Sequence, residues 1–266
     1  MKEEKIKMTL IQGNCLKVLP TIPDESVDLI LTDPPYCNIV NVEWDKYDES
    51  GFLNFIEKCL IEFKRILKDG GSIYVFGMLP IVKHISLIMD KHFTYQNWIT
   101  WAKSRGRATV GKFGSNREEI LFYSKGNPKT FHRQDTTIPR QYGGADKRDY
   151  VLKGKKLRKF VIATDVWTDI MEVGISPKEK PIGHPTQKSI KLINRIILAS
   201  SNENDVVLDA FLGSGTTMKA CLELKRNCIG IEINPEYIDI TKKRLNWGSS
   251  LSNKIEWEFK NMSELK

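Results

Sequence analysis

Apolar residues along this chain of 266 residues fall in short unbroken blocks, separated by longer amphipathic stretches. Val27-Asp28-Leu29-Ile30-Leu31-Thr32 is such a block. It alternates little and is short, which predicts a buried strand of a parallel sheet. Met8 to Gln12, Ser72 to Phe76, Tyr95 to Trp101, Glu119 to Tyr123, Asp205 to Ala210 and Cys228 to Ile231 predict further strands. Between them, Cys15 to Leu19 suits a short helix stopped by Pro20. Phe52, Ile56, Cys59, Leu60, Phe63, Ile66 and Leu67 recur at steps of three and four, which predicts a helix capped by Ser50 and ended by Asp69-Gly70-Gly71. Helices are also expected over 80–90, over Thr216 to Leu224, over Pro235 to Leu245 and after Thr186, an N-cap followed by an apolar face of Ile190, Ile193, Ile197 and Leu198. Strands alternating with helices imply an α/β fold, its sheet mostly parallel with helices on both faces.

From Gly126-Asn127-Pro128 to Gly183 the periodicity fades and turn residues accumulate. Residues 126–183 are therefore expected to be an insertion into a domain built from 1–125 and 184–246. Residues 247–266 form a C-terminal tail, with a strand expected at Lys254 to Phe259.

Charge adds a partner. Net charge is 41 − 33 = +8, and it is concentrated. Lys103, Arg105, Arg107, Lys112 and Arg117 stand in a stretch without an acid, and residues 129–159 hold ten bases against three acids. Those two stretches carry +5 and +7, so the rest of the chain is about −4. Positive charge gathered on a neutral-to-acidic scaffold is the footprint of a polyanion, although a solvated basic loop has the same composition. Lys103, Arg105, Arg107, Lys112, Arg117, Arg133, Arg140, Lys147 and Arg148 are the candidate residues for contacting such a polyanion. No apolar stretch approaches the ~18 residues that span a bilayer, and the charged N-terminus lacks a signal peptide, so the expected location is the cytoplasm. Five cysteines without C-x-x-C spacing and four histidines without H-x-x-x-H spacing predict free thiols and no protein-bound metal.

Two stretches carry chemistry. Asp209-Ala210-Phe211-Leu212-Gly213-Ser214-Gly215-Thr216-Thr217 lies between a strand and a helix, and Glu232 ends the next strand 19 residues after Gly213. Glycines let the backbone approach a ligand, and the acid is placed to grip a ribose diol. A dinucleotide would want a third glycine where Met218 stands, and no phosphate-binding loop is present; S-adenosylmethionine, which has a ribose but no phosphate, suits the loop better. The other stretch is Asp33-Pro34-Pro35-Tyr36, directly after the first buried block. Prolines fix their own φ and hold Asp33 extended, so an acid, a carbonyl and an aromatic ring sit on a rigid arm, where a plain Asx-type turn is the alternative. A carboxylate and a carbonyl that accept both protons of an exocyclic amino group favour a tetrahedral nitrogen with a localised lone pair, able to attack a sulfonium methyl. A base inside a duplex must be flipped out to be reached, and Tyr36 offers a face for it.

With D-P-P-Y preceding F-x-G-x-G, and with Gly183-His184-Pro185-Thr186-Gln187-Lys188 between them, the chain resembles the β group of DNA amino-methyltransferases. The stretch from Gln96 to Lys103 resembles MboII-type adenine enzymes. The resemblance implies a doubly wound, mostly parallel, Rossmann-like methyltransferase sheet with an inserted target-recognition region. It implies catalysis by Asp33, Pro34, Pro35 and Tyr36 of methyl transfer to the N6 amino group of adenine in double-stranded DNA, usually within a restriction–modification system. It also implies that Asp33, Asp209, Phe211, Gly213, Ser214, Gly215, Thr216 and Glu232 hold the S-adenosylmethionine. His184, Thr186, Gln187 and Lys188 would lie near its methionine end, with Lys188 on the carboxylate. Asn14 or Cys15 would lie near its adenine, although many relatives carry an acid where Asn14 stands. A homodimer is expected from the resemblance alone.

Other readings stay open at this point. N4 of cytosine is the alternative target, since relatives of that kind more often have serine in place of Asp33. RNA or a protein amide is another substrate class, and a catalytically silent DNA-binding partner is the reading outside enzymes.

Overall fold

The computed structural model describes residues 5–36, 48–104, 110–111, 113–139, 160–175, 179–183, 186–249 and 254–263. In chain order it holds β1 (Ile6–Gln12), α1 (Cys15–Val18), β2 (Val27–Thr32), α2 (Glu49–Ile66), β3 (Leu67–Gly77), α3 (Val82–Met89), β4 (Thr94–Ala102), β5 (Arg117–Ser124), β6 (Thr137–Pro139), β7 (Phe160–Ile162), β8 (Val166–Trp167), α4 (Ile190–Ser200), β9 (Val206–Asp209), α5 (Thr216–Glu223), β10 (Asn227–Glu232), α6 (Pro235–Arg244) and β11 (Ile255–Asn261). Among the described residues nine strands form one sheet in the order β11-β1-β10-β9-β2-β3-β5-β4-β8. Every pairing in it is parallel except those of β5, which runs against both β3 and β4.

Alternate side chains of the strands feed two cores. Ile11, Ile30, Ile73, Val75, Leu121 and Tyr123 pack with α1, α2 and α3 on one face. Met8, Leu10, Leu29, Leu31, Tyr74, Phe76, Ile120 and Phe122 pack with α4, α5 and α6 on the other. The expected α/β sheet with helices on both faces is therefore present, and both faces of β2 are dry, which is why its sequence is nearly unbroken apolar.

Several local expectations are corrected. Asp48, not Ser50, caps α2: its carboxylate accepts the Gly51 N–H at 3.2 Å and the Ser50 hydroxyl. Asp69-Gly70-Gly71 does not end that helix, which stops at Ile66. The chain passes straight into β3, and Gly70 at φ +79° lies where the register of β3 against β2 shifts. Thr186 is not an N-cap. Helix α4 begins four residues later behind Ser189, and its first N–H donates to the Glu179 carboxylate at 3.0 and 3.2 Å. Glu179 comes from the segment expected to be an insertion and also lies 3.5 Å from Arg244 of α6. In that same segment β6 and β7 make a small antiparallel pair, while β8 joins the main sheet beside β4. The expected tail does not stand apart either: β11 pairs with β1 along all seven of its residues.

Cys15, Cys59, Cys221 and Cys228 are buried free thiols, and Cys37 lies outside the described residues. No described helix is long and apolar enough to cross a membrane.

Candidate active site

Strands β2 and β9 are neighbours in the sheet, and the chain leads away from them in opposite directions, to β3 on one side and to β10 and β1 on the other. Ligands of open α/β sheets gather at the carboxyl ends of strands at such a point. Here those ends carry Asp33 and Asp209.

The rigid arm after β2 folds so that Tyr36, itself buried, donates its hydroxyl to Asp33 Oδ1 at 2.7 Å. Lys188 arrives from the loop before α4. Its ammonium donates to Asp33 Oδ2 at 2.5 Å and to the Tyr36 hydroxyl at 2.5 Å, and it stands 5.2 Å from the centroids of both the Tyr36 and the Phe76 rings. It also lies 3.3 Å from Glu118 Oε2, an atom that is buried and accepts no hydrogen bond. Glu118 Oε1 takes the ammonium of Lys103. Asp33, Lys188, Glu118 and Lys103 thus form a chain of alternating charges that sums to zero. Burial pushes the Asp33 carboxyl up, Lys188 draws it down and Glu118 raises it again, leaving it above the usual carboxylate range. Burial acts on Glu118 too, but Lys188 and Lys103 outweigh it and hold that acid low. Lys188 is itself desolvated, yet two carboxylates keep it firmly protonated.

On the β9 side, the Asp209 carboxylate accepts the Phe211 N–H at 3.1 Å and the Thr217 hydroxyl at 2.6 Å, and burial lifts it to about 7. Glu232, at the end of β10, accepts the N–H of Gly213 at 2.7 Å and of Asn234 at 2.8 Å. Burial raises its carboxyl as well. Gly213 adopts φ +55° and Gly215 φ +77°.

Residues from both sides line one cavity of about 240 Å³. Asn14, Cys15, Asp33, Pro34, Pro35, Tyr36, Thr186, Gln187, Lys188, Asp209, Phe211, Gly213, Ser214, Thr216 and Glu232 all reach its wall, so the structure brings together almost every residue singled out for catalysis or cofactor. Gly215 is the exception. It serves as N-cap of α5, and a Cβ there would lie 2.7 Å from Thr241 Oγ1, so its part is to let the loop turn. His184 lies outside the described residues. Lys188 is in the wall, but its ammonium is turned to acids of the protein and not held free for a cofactor carboxylate. Sequence reasoning missed Thr32, Phe55, Phe76, Ile233 and Tyr237 in the wall, and Glu118 behind Lys188. Glu118 stands with Glu119 at the start of an otherwise apolar strand, and that pair of acids was its one signal.

The basic residues are less gathered. Lys103, expected on a phosphate, is turned inward to Glu118, because that buried acid needs a second cation. Arg117 pairs with Glu119 at 2.8 Å with half its side chain exposed, and Arg133 is exposed. Arg105, Arg107, Lys112, Arg140, Lys147 and Arg148 lie outside the described residues. Among the described residues no cluster of acids, histidines and cysteines has the arrangement of a metal site.

A family model described as DNA methylase, of the N6/N4 methyltransferases, matches residues 27–243. The chain is similar to the Type II methyltransferase M1.MboII of Moraxella bovis, with 34% identity over 251 residues that cover 88% of this chain and 95% of the relative. It is similar to DNA adenine methyltransferase YhdJ of Escherichia coli (strain K12), with 34% identity over 250 residues, 92% of this chain and 84% of the relative. Among solved structures, the M1.HpyAVI–SAM complex superposes with a TM-score of 0.62 at 26% identity, covering 90% of this chain and 99% of that one.

Proposed function

The chain belongs to the DNA methylase family of N6/N4 methyltransferases, and from that premise we propose that it transfers a methyl group from S-adenosylmethionine to N6 of adenine in a specific double-stranded DNA sequence. The observation that carries this is the shared cavity: the Asp33-Pro34-Pro35-Tyr36 arm and the Asp209-to-Thr217 loop face one another across it.

The donor set suits that cofactor. Half-buried Asp33 and buried Asp209 and Glu232 put three carboxylates around the cavity, matched to a ligand with a sulfonium, an ammonium and a ribose diol. Phe55, Phe211 and Ile233 supply apolar wall for an adenine ring. Gln187 accepts the Ile182 N–H at 3.1 Å, while its buried Nε2 has no partner and is free to donate to a carboxylate. When bound, S-adenosylmethionine supplies an electrophilic methyl carbon on a sulfonium.

The chain's own residues prepare the nucleophile. Asp33 Oδ and the Pro34 carbonyl accept the two amino protons, which draws the nitrogen lone pair out of conjugation and aims it. Tyr36 fixes Asp33 through its hydroxyl and gives a ring face to a base flipped from the duplex. Residues 126–183 carry sequence recognition in this scheme. Eight of the ten bases of the 129–159 stretch fall in 140–159, where phosphate contacts would position the duplex and side chains such as Arg140 and Arg148 would reach base edges. The enzyme would act in the cytoplasm beside a restriction endonuclease of the same specificity, and as a homodimer, the last resting on family resemblance alone.

Incubating the protein with duplex DNA and labelled S-adenosylmethionine, followed by nucleoside mass spectrometry, should give N6-methyladenine. Asp33→Ala should slow transfer by about 10²–10³-fold. Methyl on cytosine alone would overturn the adenine assignment, and an undiminished Asp33→Ala rate would overturn the mechanism.

A further inference from the structure

We propose that Glu118 is a positioning residue for methyl transfer: its carboxylate is the berth to which the Lys188 ammonium moves when the target base takes the place of that ammonium on Asp33. The proposal rests on the methyl-transfer reading above.

Lys188 occupies the position the substrate needs. Its Nζ is a nitrogen with protons to donate, placed 2.5 Å from Asp33 Oδ2 and 5.2 Å from the Tyr36 ring centroid. An exocyclic amino group oriented by Asp33 and a base stacked on Tyr36 would claim the same oxygen and the same ring. The other Asp33 oxygen already accepts the Tyr36 hydroxyl. The base and the ammonium therefore exclude one another, and Lys188 has to move before the base can be held.

A buried ammonium cannot move to an apolar position, because a buried charge left without a counter-ion is strongly unfavourable. Glu118 Oε2 meets the need. It is buried, only 3.3 Å from Nζ, and accepts no hydrogen bond, so a short rotation of the lysine converts a loose ion pair into a bonded one. Lys103 on the other Glu118 oxygen holds the berth in place. The titratable groups facing the cluster are Asp33 and Tyr36 from the arm after β2, Asp209 from the end of β9, Glu118 from β5 and Lys103 from the end of β4.

The move frees Asp33 Oδ2 from the ammonium. The amino nitrogen forms its bond to the methyl carbon as the carbon–sulfur bond breaks, with the electron pair remaining on sulfur. The surplus proton on nitrogen passes to the Asp33 carboxylate and then to water as the methylated base departs. An Asp33 still paired with Lys188 would be a poorer acceptor for the amino protons and for that final one.

The test is Glu118→Gln, which keeps the shape and removes the charge. In single-turnover methylation of duplex DNA the variant should lose about 10²-fold in rate while binding cofactor and DNA with unchanged affinity. Its rate should climb with alkaline pH, where Lys188 deprotonates and releases Asp33, over a range in which the wild-type rate is flat. Adding Lys188→Met should recover much of the loss, since the double variant has no ammonium to park and is again neutral in this cluster. A Glu118→Gln rate and pH profile equal to wild type would overturn the proposal, as would a double variant no faster than the single one. Should Glu118→Gln fail to fold, the wild-type complex with S-adenosylhomocysteine and duplex DNA decides: Lys188 bonded to Glu118 supports the proposal, and Lys188 still on Asp33 beside a bound base ends it. A wild-type protein that methylates no DNA would instead defeat the underlying functional reading.

Discussion

Asp209 gives the clearest titration in the site. Its carboxyl is lifted to about 7 by burial, so between the ordinary carboxylate range and about 7 the folded chain holds a proton that the unfolded chain has released. The sign follows: this group makes folding less favourable as pH rises through that window. A cationic ligand in the cavity acts the other way, because it favours the ionised form. Cofactor affinity should therefore increase with pH up to about 7 and level off above it. Calorimetric titrations at pH 6.5 in two buffers of different ionisation enthalpy should show proton release on binding, absent in Asp209→Asn; equal release in the variant would remove Asp209 from this role. At this scale the site was legible wherever a residue belonged to a contiguous motif. Asp33, Tyr36, Asp209 and Glu232 all stand at strand ends, where local order fixes their surroundings. Glu118 and the acids that pair with Lys188 were not legible, because their pairing joins β5 to the loops before α4 and after β2, and no spacing in the chain encodes it.

At the level of elements, periodicity located nearly every helix and strand, since a dry face on one or both sides leaves a clear pattern. What failed were the ends. Helix α2 runs into β3 without a linker, and α4 takes its cap from Glu179, eleven residues earlier. Such ends are satisfied by tertiary contacts that a reader of local signals cannot see. Gly215 is the element-scale position most sensitive to change. Its φ of +77° disfavours any side chain, and Thr241 from α6 leaves no room for one. Gly215→Ala should cost about 2 kcal/mol, from backbone strain and displacement of α6. Thermal unfolding should show the loss as a shift of several degrees, with a weakened cofactor affinity beside it; an unshifted midpoint would mean the loop relaxes without strain.

For the whole molecule, β11 matters more than its place near the end of the sequence suggests. It covers the edge of β1, and its Trp257 packs on Trp247 with ring centroids 4.5 Å apart. Removing residues 254–266 should bare seven residues of β1 as an open edge, lowering the unfolding temperature and promoting self-association measurable by light scattering. A monodisperse truncated protein of unchanged stability would show the strand to be dispensable.

The adjacency of β2 and β9 also dictates an order of events. Leu29 lies against Val207 and Ile30 against Leu208, 178 positions apart. Contacts of such separation close late, after local helices and hairpins have formed. During synthesis Asp33, proposed above to orient the base, is made early, but the strands and loop proposed to hold the methyl donor are finished only at Glu232. On that proposal a growing chain carries the Asp33–Tyr36 arm for most of its length without a place for the donor, and becomes able to mark DNA only when the central seam of the sheet is closed.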